Sequence, residues 1–297
     1  GTTWTAQNDP PAYGTGQSLL NAVTYGNSTF VFVGRGGTIA TSSDGTTWTS
    51  RGSNALTTTN LYGVNYVNST FVALGRSGTI LTSSDGTAWT DRTTNVTPYH
   101  LRGVTYGNGT FVIVGDSGSI LTSSDGTTWD NRTSGTGYTL KGVAYGNSTF
   151  VAMGGSGTIL TSTDGTSWTS RDSGTNGTFD GVIYVNSIFK AVSGRIVFTS
   201  TDGTTWTDQT SLASEMSTGF LRGITYANGS FVVVGSSGNI LISSDGTTWT
   251  SRTSGTTSHL RRVTYGNGTF VTVGWGGTIL SSPGASGIVV NNAAGLL

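Results

Sequence analysis

The carboxyl groups of this 297-residue chain are few, and they limit the chemistry that it can do. The chain has 14 acidic residues, and Glu215 is the single glutamate. Hydrolysis of a glycosidic bond normally needs two carboxyl groups held about 5 to 10 Å apart, one of which acts as the acid. Glu215 with Asp116 or Asp180 is the pair that the sequence offers for this reaction, and no surrounding motif supports it.

Six other aspartates recur in one phrase, Ser-x-Asp-Gly, which ends in a tryptophan four residues after the aspartate. Such an aspartate accepts hydrogen bonds from backbone amides of its own turn, the glycine permits a positive φ, and the tryptophan covers the hairpin. We therefore expect a structural role, rather than a calcium or catalytic array, for Asp44, Asp85, Asp125, Asp164, Asp202 and Asp245.

A second set of residues has the chemistry to bind an anion or a sugar. Five basic residues, the last of them Arg262, stand near the starts of predicted first strands, with Asn21, Tyr62 and Asp180 at the corresponding places of other repeats. Together these residues would form a basic collar for a carboxylate or sulfate. Two aromatic residues nearby would offer stacking surfaces. The predicted ligand-binding residues are Arg102, Lys141, Arg222, Arg261, Tyr99 and Trp275.

An internal repeat fixes the positions of these residues. One phrase, clearest from Leu101 to Trp129, contains a tyrosine, a phenylalanine five residues later, the aspartate turn and the tryptophan. A sequence period of about 40 residues is typical of propellers and other repeat arrays. The tyrosine occurs seven times, which predicts seven structural units, at Tyr25, Tyr66, Tyr106, Tyr145, Tyr184, Tyr226 and Tyr265.

The tryptophan that ends the phrase indicates how the array closes. It follows six of the seven tyrosines, and the missing copy is Trp4, at the other end of the chain. The last repeat leaves the pattern at Pro283, and the N-terminus begins at the glycine of the same phrase. We therefore expect one unit to be built from residues 260–282 plus 1–5, which requires a closed ring rather than an open solenoid.

Each repeat has the composition of four short strands. Valine, isoleucine, threonine and aromatic residues dominate, Gly-Asn or Asp-Gly pairs separate the runs, and no window has a sustained helical period. Four-stranded units closed radially are the blades of a β-propeller. The sequence thus predicts an all-β fold: a seven-bladed β-propeller of four-stranded antiparallel blades over residues 1–282, followed by a tail over residues 283–297 that packs against the ring or a neighbouring subunit.

The phrase from Ser42 to Trp48, SSDGTTW, and its five copies resemble the Asp-box, or bacterial neuraminidase repeat, of sialidase-like propellers. In that family the box lies between the third and fourth strands of a blade, so the resemblance, which extends over nearly the whole chain, implies the same fold. The family includes sialidases, other glycoside hydrolases, lectin-like modules, sorting receptors and an assembly factor of photosystem II. Membership of such a fold implies no single activity.

Differences in length between the repeats point to one face of the ring. The distance from tyrosine to tryptophan is 22 or 23 residues, whereas the connection from tryptophan to the next tyrosine varies from 16 to 21 residues. In a propeller, those connections share a face with the loops between second and third strands, which also differ here. Because binding residues usually lie on the variable loops of a rigid scaffold, we expect a ligand on this face, around the mouth of the channel.

Composition excludes several classes of function. The formal net charge is zero and only 9% of residues are charged, which argues against a nucleic-acid interface. No apolar run is long enough to predict a membrane span. The chain has no cysteine, and His100 and His259 lack metal-ligand spacing, so we expect neither a metal nor a cofactor.

The sequence favours a secreted or cell-surface binding or scaffold module without catalytic activity. Its expected partner is a glycan, a protein or the subunits of a larger surface assembly. The alternatives are a glycoside hydrolase of sialidase-like type and a propeller assembly factor for a larger complex. The charge-poor composition, rich in Ser, Thr, Asn and Gly, is typical of bacterial extracellular proteins, so we expect an extracellular, cell-surface or periplasmic location, and the start at Gly1 suggests a processed or excised chain.

Overall fold

The computed structural model describes residues 3–7, 19–51, 56–93, 97–212, 214–216 and 218–283. In these ranges, 28 strands form seven four-stranded sheets, and six short 3₁₀ turns are the remaining regular elements. The strands within each sheet pair antiparallel with their neighbours. The prediction of an all-β, seven-bladed propeller is confirmed. None of the described helical turns is long and apolar enough to cross a membrane.

The blades are numbered 1 to 7 in chain order, beginning with the one that contains Leu20. Their first strands, which line the channel, are β2 Leu20–Gly26, β6 Leu61–Val67, β10 Leu101–Gly107, β14 Leu140–Gly146, β18 Phe179–Val185, β22 Leu221–Ala227 and β26 Leu260–Gly266. The second strands are β3 Thr29–Gly34, β7 Thr70–Gly75, β11 Thr110–Gly115, β15 Thr149–Gly154, β19 Ile188–Ser193, β23 Ser230–Gly235 and β27 Thr269–Gly274.

The outer two strands of each blade are shorter. The third strands are β4 Ile39–Ser42, β8 Ile80–Ser83, β12 Ile120–Ser123, β16 Ile159–Ser162, β20 Ile196–Ser200, β24 Ile240–Ser243 and β28 Ile279–Pro283. The fourth strands are β5 Thr49–Ser50, β9 Thr90–Asp91, β13 Asp130–Arg132, β17 Thr169–Arg171, β21 Thr207–Ser211, β25 Thr250–Arg252 and β1 Thr5–Ala6. The 3₁₀ turns join second to third strands at Arg35–Gly37, Arg76–Gly78, Asp116–Gly118, Gly155–Gly157, Ser236–Gly238 and Trp275–Gly277.

Blade 7 joins the two ends of the chain. Strand β1 pairs antiparallel with β28, with Thr5 opposite Ser281. Trp4, which is 6% exposed, packs in the core between blades 6 and 7, and its ring centroid lies 6.5 Å from that of Phe270. The ring is therefore closed by the N-terminal strand, as the sequence predicts.

The last strand continues slightly further than expected. Pro283 pairs with Thr269 at the end of β28, one residue beyond the predicted end of the repeat. Residues 1 and 2 of the predicted closing strand, and residues 284–297 of the predicted tail, lie outside the described residues.

The hydrophobic core lies between the blades. Each of seven buried clusters combines residues of two adjacent blades. The recurring Tyr-Gly pair explains part of this packing: a Cβ on Gly107 would overlap the ring of Tyr145 in the next blade, and Gly146 and Tyr184 repeat the arrangement. The glycine lets the tyrosine of one blade lie directly on the backbone of its neighbour.

Candidate functional site at the channel mouth

A β-bulge interrupts the pairing of the first two strands at the same position in every blade. In blade 3, Leu101 pairs with Gly115 and Gly103 with Val114, which leaves Arg102 as the extra residue. A bulge redirects the side chain of its extra residue. Seven such residues encircle one end of the channel, and we call them the bulge ring: Asn21, Tyr62, Arg102, Lys141, Asp180, Arg222 and Arg261.

The residue after the bulge is glycine in five blades because the first strands approach each other closely there. A Cβ on Gly63, for example, would fall against the carbonyl oxygen of Arg102. Blade 7 carries Arg262 at this position instead. Its guanidinium turns back and donates to the carbonyl oxygens of Arg222 and Arg261, at 2.7 and 2.9 Å. Arg262 thus adds a further cation to the bulge ring.

The bulge ring and Arg262 line a cavity of about 60 Å³ at the channel mouth. A cavity of about 230 Å³ continues below it between the first strands. All four basic residues predicted to bind a ligand lie in the wall of the mouth cavity: Arg102, Lys141, Arg222 and Arg261. The two predicted aromatic residues, Tyr99 and Trp275, lie outside this wall and are 46% and 40% exposed.

Two carboxylates neutralise part of the positive charge. The guanidinium of Arg102 donates to both carboxylate oxygens of Asp116, at 2.5 and 3.0 Å. Asp180 accepts a hydrogen bond from Nζ of Lys141 at 2.7 Å and lies 3.5 Å from Nη1 of Arg222. The wall of the mouth cavity therefore combines five cationic side chains with the carboxylate of Asp180, and Asp116 engages Arg102 from outside the wall.

Arg261 has no acidic partner in the described part of the chain, and its guanidinium donates no hydrogen bond there. It lies over the ring of Trp275, 5.4 Å from the centroid, as a cation–π contact. Burial, followed by the like charges of Arg222, Arg262 and Arg102, lowers the pKa of Arg261 to about 10 against the opposing charge of Asp180, so the side chain is charged at neutral pH. A partly buried guanidinium that forms no direct ion pair with a described carboxylate is suited to an anionic ligand.

Two histidines support the rim of this site. Nδ1 of His100 accepts the amide of Ser77 at 3.2 Å, and Nδ1 of His259 accepts the amide of Ser237 at the same distance, so each connects its blade to the preceding one. His259 also packs edge-on against Trp275, with 4.3 Å between ring centroids. Within the described ranges, no group of three His, Cys, Asp or Glu side chains is placed to hold a metal ion.

The three carboxylates considered for catalysis have different surroundings. Asp116 begins a 3₁₀ turn and is held by Arg102, whereas Asp180 lies in the mouth cavity between Lys141 and Arg222. Glu215 is exposed in the linker between β21 and β22, and the wall of the cavity that contains Asp180 includes neither Glu215 nor Asp116. The structure does not bring the predicted pairs together in this cavity.

The aspartate turns lie at the other end of the blades. In blade 3, Oδ1 of Asp125 accepts the amides of Thr127 and Thr128, and Oδ2 accepts the hydroxyl of Thr127. These hydrogen bonds, with the Thr127 hydroxyl contributing most, hold the pKa of Asp125 far below its ordinary value of 3.8. The other five turn aspartates also have lowered pKa values, at Asp44, Asp85, Asp164, Asp202 and Asp245.

Three other residues of the mouth cavity, Asn21, Tyr62 and Arg262, belong to the collar that the sequence predicts at the starts of the first strands, although they are not among its predicted ligand-binding residues. The signal that identifies the first two is positional, because each follows the leucine that begins a first strand. Tyr62 packs between two side chains of the next blade, stacking on His100 at 5.4 Å and lying under the guanidinium of Arg102 at 5.2 Å. It therefore helps to orient a basic residue of the bulge ring.

Comparison with sequence families gives a limited match. The family model described as the DUF6242 beta propeller domain matches residues 1–101, which include blades 1 and 2. A search of curated protein sequences gives no match.

Solved structures match along nearly the whole chain. YCF48 bound to D1 peptide is 17% identical, with 94% of both chains covered and a TM-score of 0.75. A catalytically inactive virginiamycin B lyase from Staphylococcus aureus with quinupristin is 10% identical, with 94% of this chain and 98% of that chain covered and a TM-score of 0.79. The WD40 beta propeller domain of Doa1 is 13% identical, with 94% and 97% covered and a TM-score of 0.69. At these identities the likeness shows the propeller fold alone, and nothing in it points specifically to the Asp-box family.

Proposed function

We propose that this propeller is a non-catalytic binding module whose channel mouth takes a carboxylate-bearing segment of a partner protein. The observation that carries the proposal is the unpaired guanidinium of Arg261 among the like charges of Arg222, Arg262 and Arg102. A carboxylate placed beside it would form charge-assisted hydrogen bonds and reduce the repulsion between these cations.

The dimensions of the mouth favour the end or side chain of a larger partner. A cavity of about 60 Å³ has room for one carboxylate-sized group, so the rest of the ligand must lie on the rim. The rim has exposed aromatic side chains, which are suited to protein contacts, at Tyr99, Tyr138, Phe220 and Trp275. YCF48, of the same fold, has been solved with a bound peptide, so the assembly-factor role is compatible with this proposal.

A carboxylated glycan is the second candidate. Trp275 is 40% exposed and lies next to the unpaired guanidinium of Arg261, so one sugar residue could use both a stacking surface and a cation. We place either ligand in an extracellular or cell-surface setting, which the charge-poor, cysteine-free composition supports.

The proposal excludes glycoside hydrolysis because that reaction needs two carboxyl groups on opposite sides of the scissile bond. In the wall of the mouth cavity, Asp180 is the one carboxyl group, and it is already engaged by Lys141 and Arg222. The pairings with Glu215 considered above therefore gain no support from the geometry.

Two binding arrays test this proposal. One carries peptides whose C-termini are free or amidated, and the other carries acidic and neutral glycans. We expect binding of carboxylate-bearing ligands that weakens with added salt. Arg261→Met should weaken the affinity about 10- to 150-fold, the effect of losing a charged hydrogen bond. Arg132→Met is the matched control, because Arg132 lies on the outer strand of blade 3. Equal affinity of wild type and Arg261→Met for the same ligand would refute the assignment.

A further inference from the structure

Blade 5 departs from the repeat at a buried position beside a cavity that lies away from the channel. The residue after the second-strand phenylalanine is valine in the other six blades and Lys190 in blade 5. In four blade pairs this valine packs on the glycine of the next aspartate turn, as Val151 does on Gly203. Lys190 takes the same place against Gly246, between blades 5 and 6, and is 4% exposed.

The ammonium group of Lys190 is incompletely satisfied by the protein. Nζ donates to the carbonyl oxygen of Gly246 at 3.2 Å and lies 5.2 Å from the ring centroid of Phe231. Among the described residues this is its one hydrogen bond, although an ammonium has three donors. Burial lowers the pKa of Lys190, and the nearby charge of Asp245 opposes that shift. A buried cation in place of a valine is costly unless its donors find acceptors.

Lys190 forms part of the wall of a cavity of about 490 Å³, a volume within the range of small-molecule sites. Three threonines in this wall have hydroxyl groups that make no hydrogen bond to any described residue, namely Thr199, Thr205 and Thr207. The apolar part of the wall comes from Val185, Ile188 and Phe231. Donors, acceptors and an apolar surface therefore meet in one cavity.

The charges in this wall cancel, in contrast to those of the bulge ring. Lys190 contributes one positive charge and Asp245 one negative charge, so the cavity does not favour an anion. The hydroxyl groups of a sugar can accept from the ammonium and donate to threonine or carboxylate oxygens, and the C–H face of its ring can cover the apolar part. We propose that the cavity between blades 5 and 6 binds a neutral monosaccharide unit, with Lys190 as its principal hydrogen-bond donor. This site is independent of the channel mouth.

The chain provides a separate reporter for each site because it contains only two lysines, Lys141 and Lys190. Lysine that carries an isotope label at a single position gives one NMR signal for each residue. One signal comes from Lys141 in the bulge ring and the other from Lys190 in the cavity between blades 5 and 6. We expect at least one of D-glucose, D-galactose, D-mannose and N-acetyl-D-glucosamine, each titrated to about 50 mM, to shift the Lys190 signal saturably at a millimolar dissociation constant. The Lys141 signal should not move with these sugars, so failure here is distinguishable from failure of the channel-mouth proposal.

The repeat supplies the decisive variant. Lys190→Val introduces the residue of the other six blades, so it should fold with an unchanged or higher melting temperature, and calorimetry should show at least about tenfold weaker sugar binding. Thr207→Val, which exchanges a hydroxyl for a methyl group, should weaken binding while keeping the lysine reporter. The proposal is wrong if none of the four sugars moves the Lys190 signal, or if Lys190→Val binds them as tightly as wild type does. It is also wrong if D-glucuronate binds and the neutral sugars do not, because the cavity would then be an anion site.

Discussion

Replacing Trp4 with alanine should weaken the closure of the ring. Strand β1 has two residues, Thr5 and Ala6, and both are exposed, so few contacts besides Trp4 anchor the N-terminal segment. The indole is 6% exposed and belongs to the cluster that joins blades 6 and 7, where it packs near Phe270. Its removal should release the segment that completes blade 7.

The size of the effect follows from burial and hydrogen bonding. Replacing a buried tryptophan with alanine typically costs about 3–5 kcal/mol. Nε1 of Trp4 is buried and has no hydrogen-bond partner in the described part of the chain, so its loss removes an unsatisfied donor. We therefore expect the low end of this range, about 3 kcal/mol. For a chain of this size, that loss lowers the melting temperature by about 6–12 °C.

Trp275→Ala is the matched control, because it makes the same substitution at a tryptophan that is 40% exposed. Thermal unfolding followed by circular dichroism should place this control within about 2 °C of wild type, as for a surface substitution with little effect on stability. Trp4→Phe should recover part of the loss. If Trp4→Ala melts no lower than Trp275→Ala, the N-terminal strand is not anchored by its tryptophan.

The aspartate turns and the linker of blade 5 give two further expectations. The turn carboxylates have lower pKa values in the folded chain than in the unfolded chain, so their stabilisation is present above the ordinary value of 3.8 and is lost as the pH falls through that value towards the folded one. Asp125→Asn should therefore lower the urea midpoint of unfolding at pH 7. The midpoint of this variant should also fall less than that of wild type between pH 5 and pH 2, and an equal fall in both proteins would contradict this explanation. Arg195 donates to the carbonyl oxygens of Met216 and Gly219, at 3.3 and 3.0 Å. Arg195→Ala should speed amide exchange at residues 214–216 and 218–219 without changing binding at the channel mouth, and unaltered exchange would show that these bonds do not hold the linker.

Blade number and closure were predictable because they depend on repeated core residues. Each tyrosine contributes to the contact between adjacent blades, so counting it counts blades, and the displaced Trp4 marks the blade that both chain ends share. The end of β28 was less predictable. Proline cannot donate a ladder hydrogen bond, yet it is tolerated at the end of a strand, and Pro283 takes that position opposite Thr269.

The candidate site could be predicted as a set of positions but not as a pattern of charges. The sequence placed Arg102 near the start of a strand, whereas the bulge that directs it to the mouth depends on the pairing of β10 with β11. The sequence offers Asp180 as a catalytic candidate because nothing local shows that Lys141 and Arg222 lie on either side of it. In the sequence, Lys190 differs from the valine that the other six repeats have at its position. The cavity beside it exists only once blades 5 and 6 pack together.

The bulge ring shows how one backbone can encode recognition without changing the fold. Its seven residues share the same bulge, so each side chain can vary while the strands behind it stay in register. The charges are distributed unevenly around the ring, because Asp116 engages Arg102 of blade 3 and Asp180 lies between Lys141 of blade 4 and Arg222 of blade 6. Arg261 of blade 7 remains unpaired and next to Trp275. A carboxylate should therefore bind off the channel axis, towards blade 7, and this asymmetry would fix the direction in which the rest of the ligand crosses the rim.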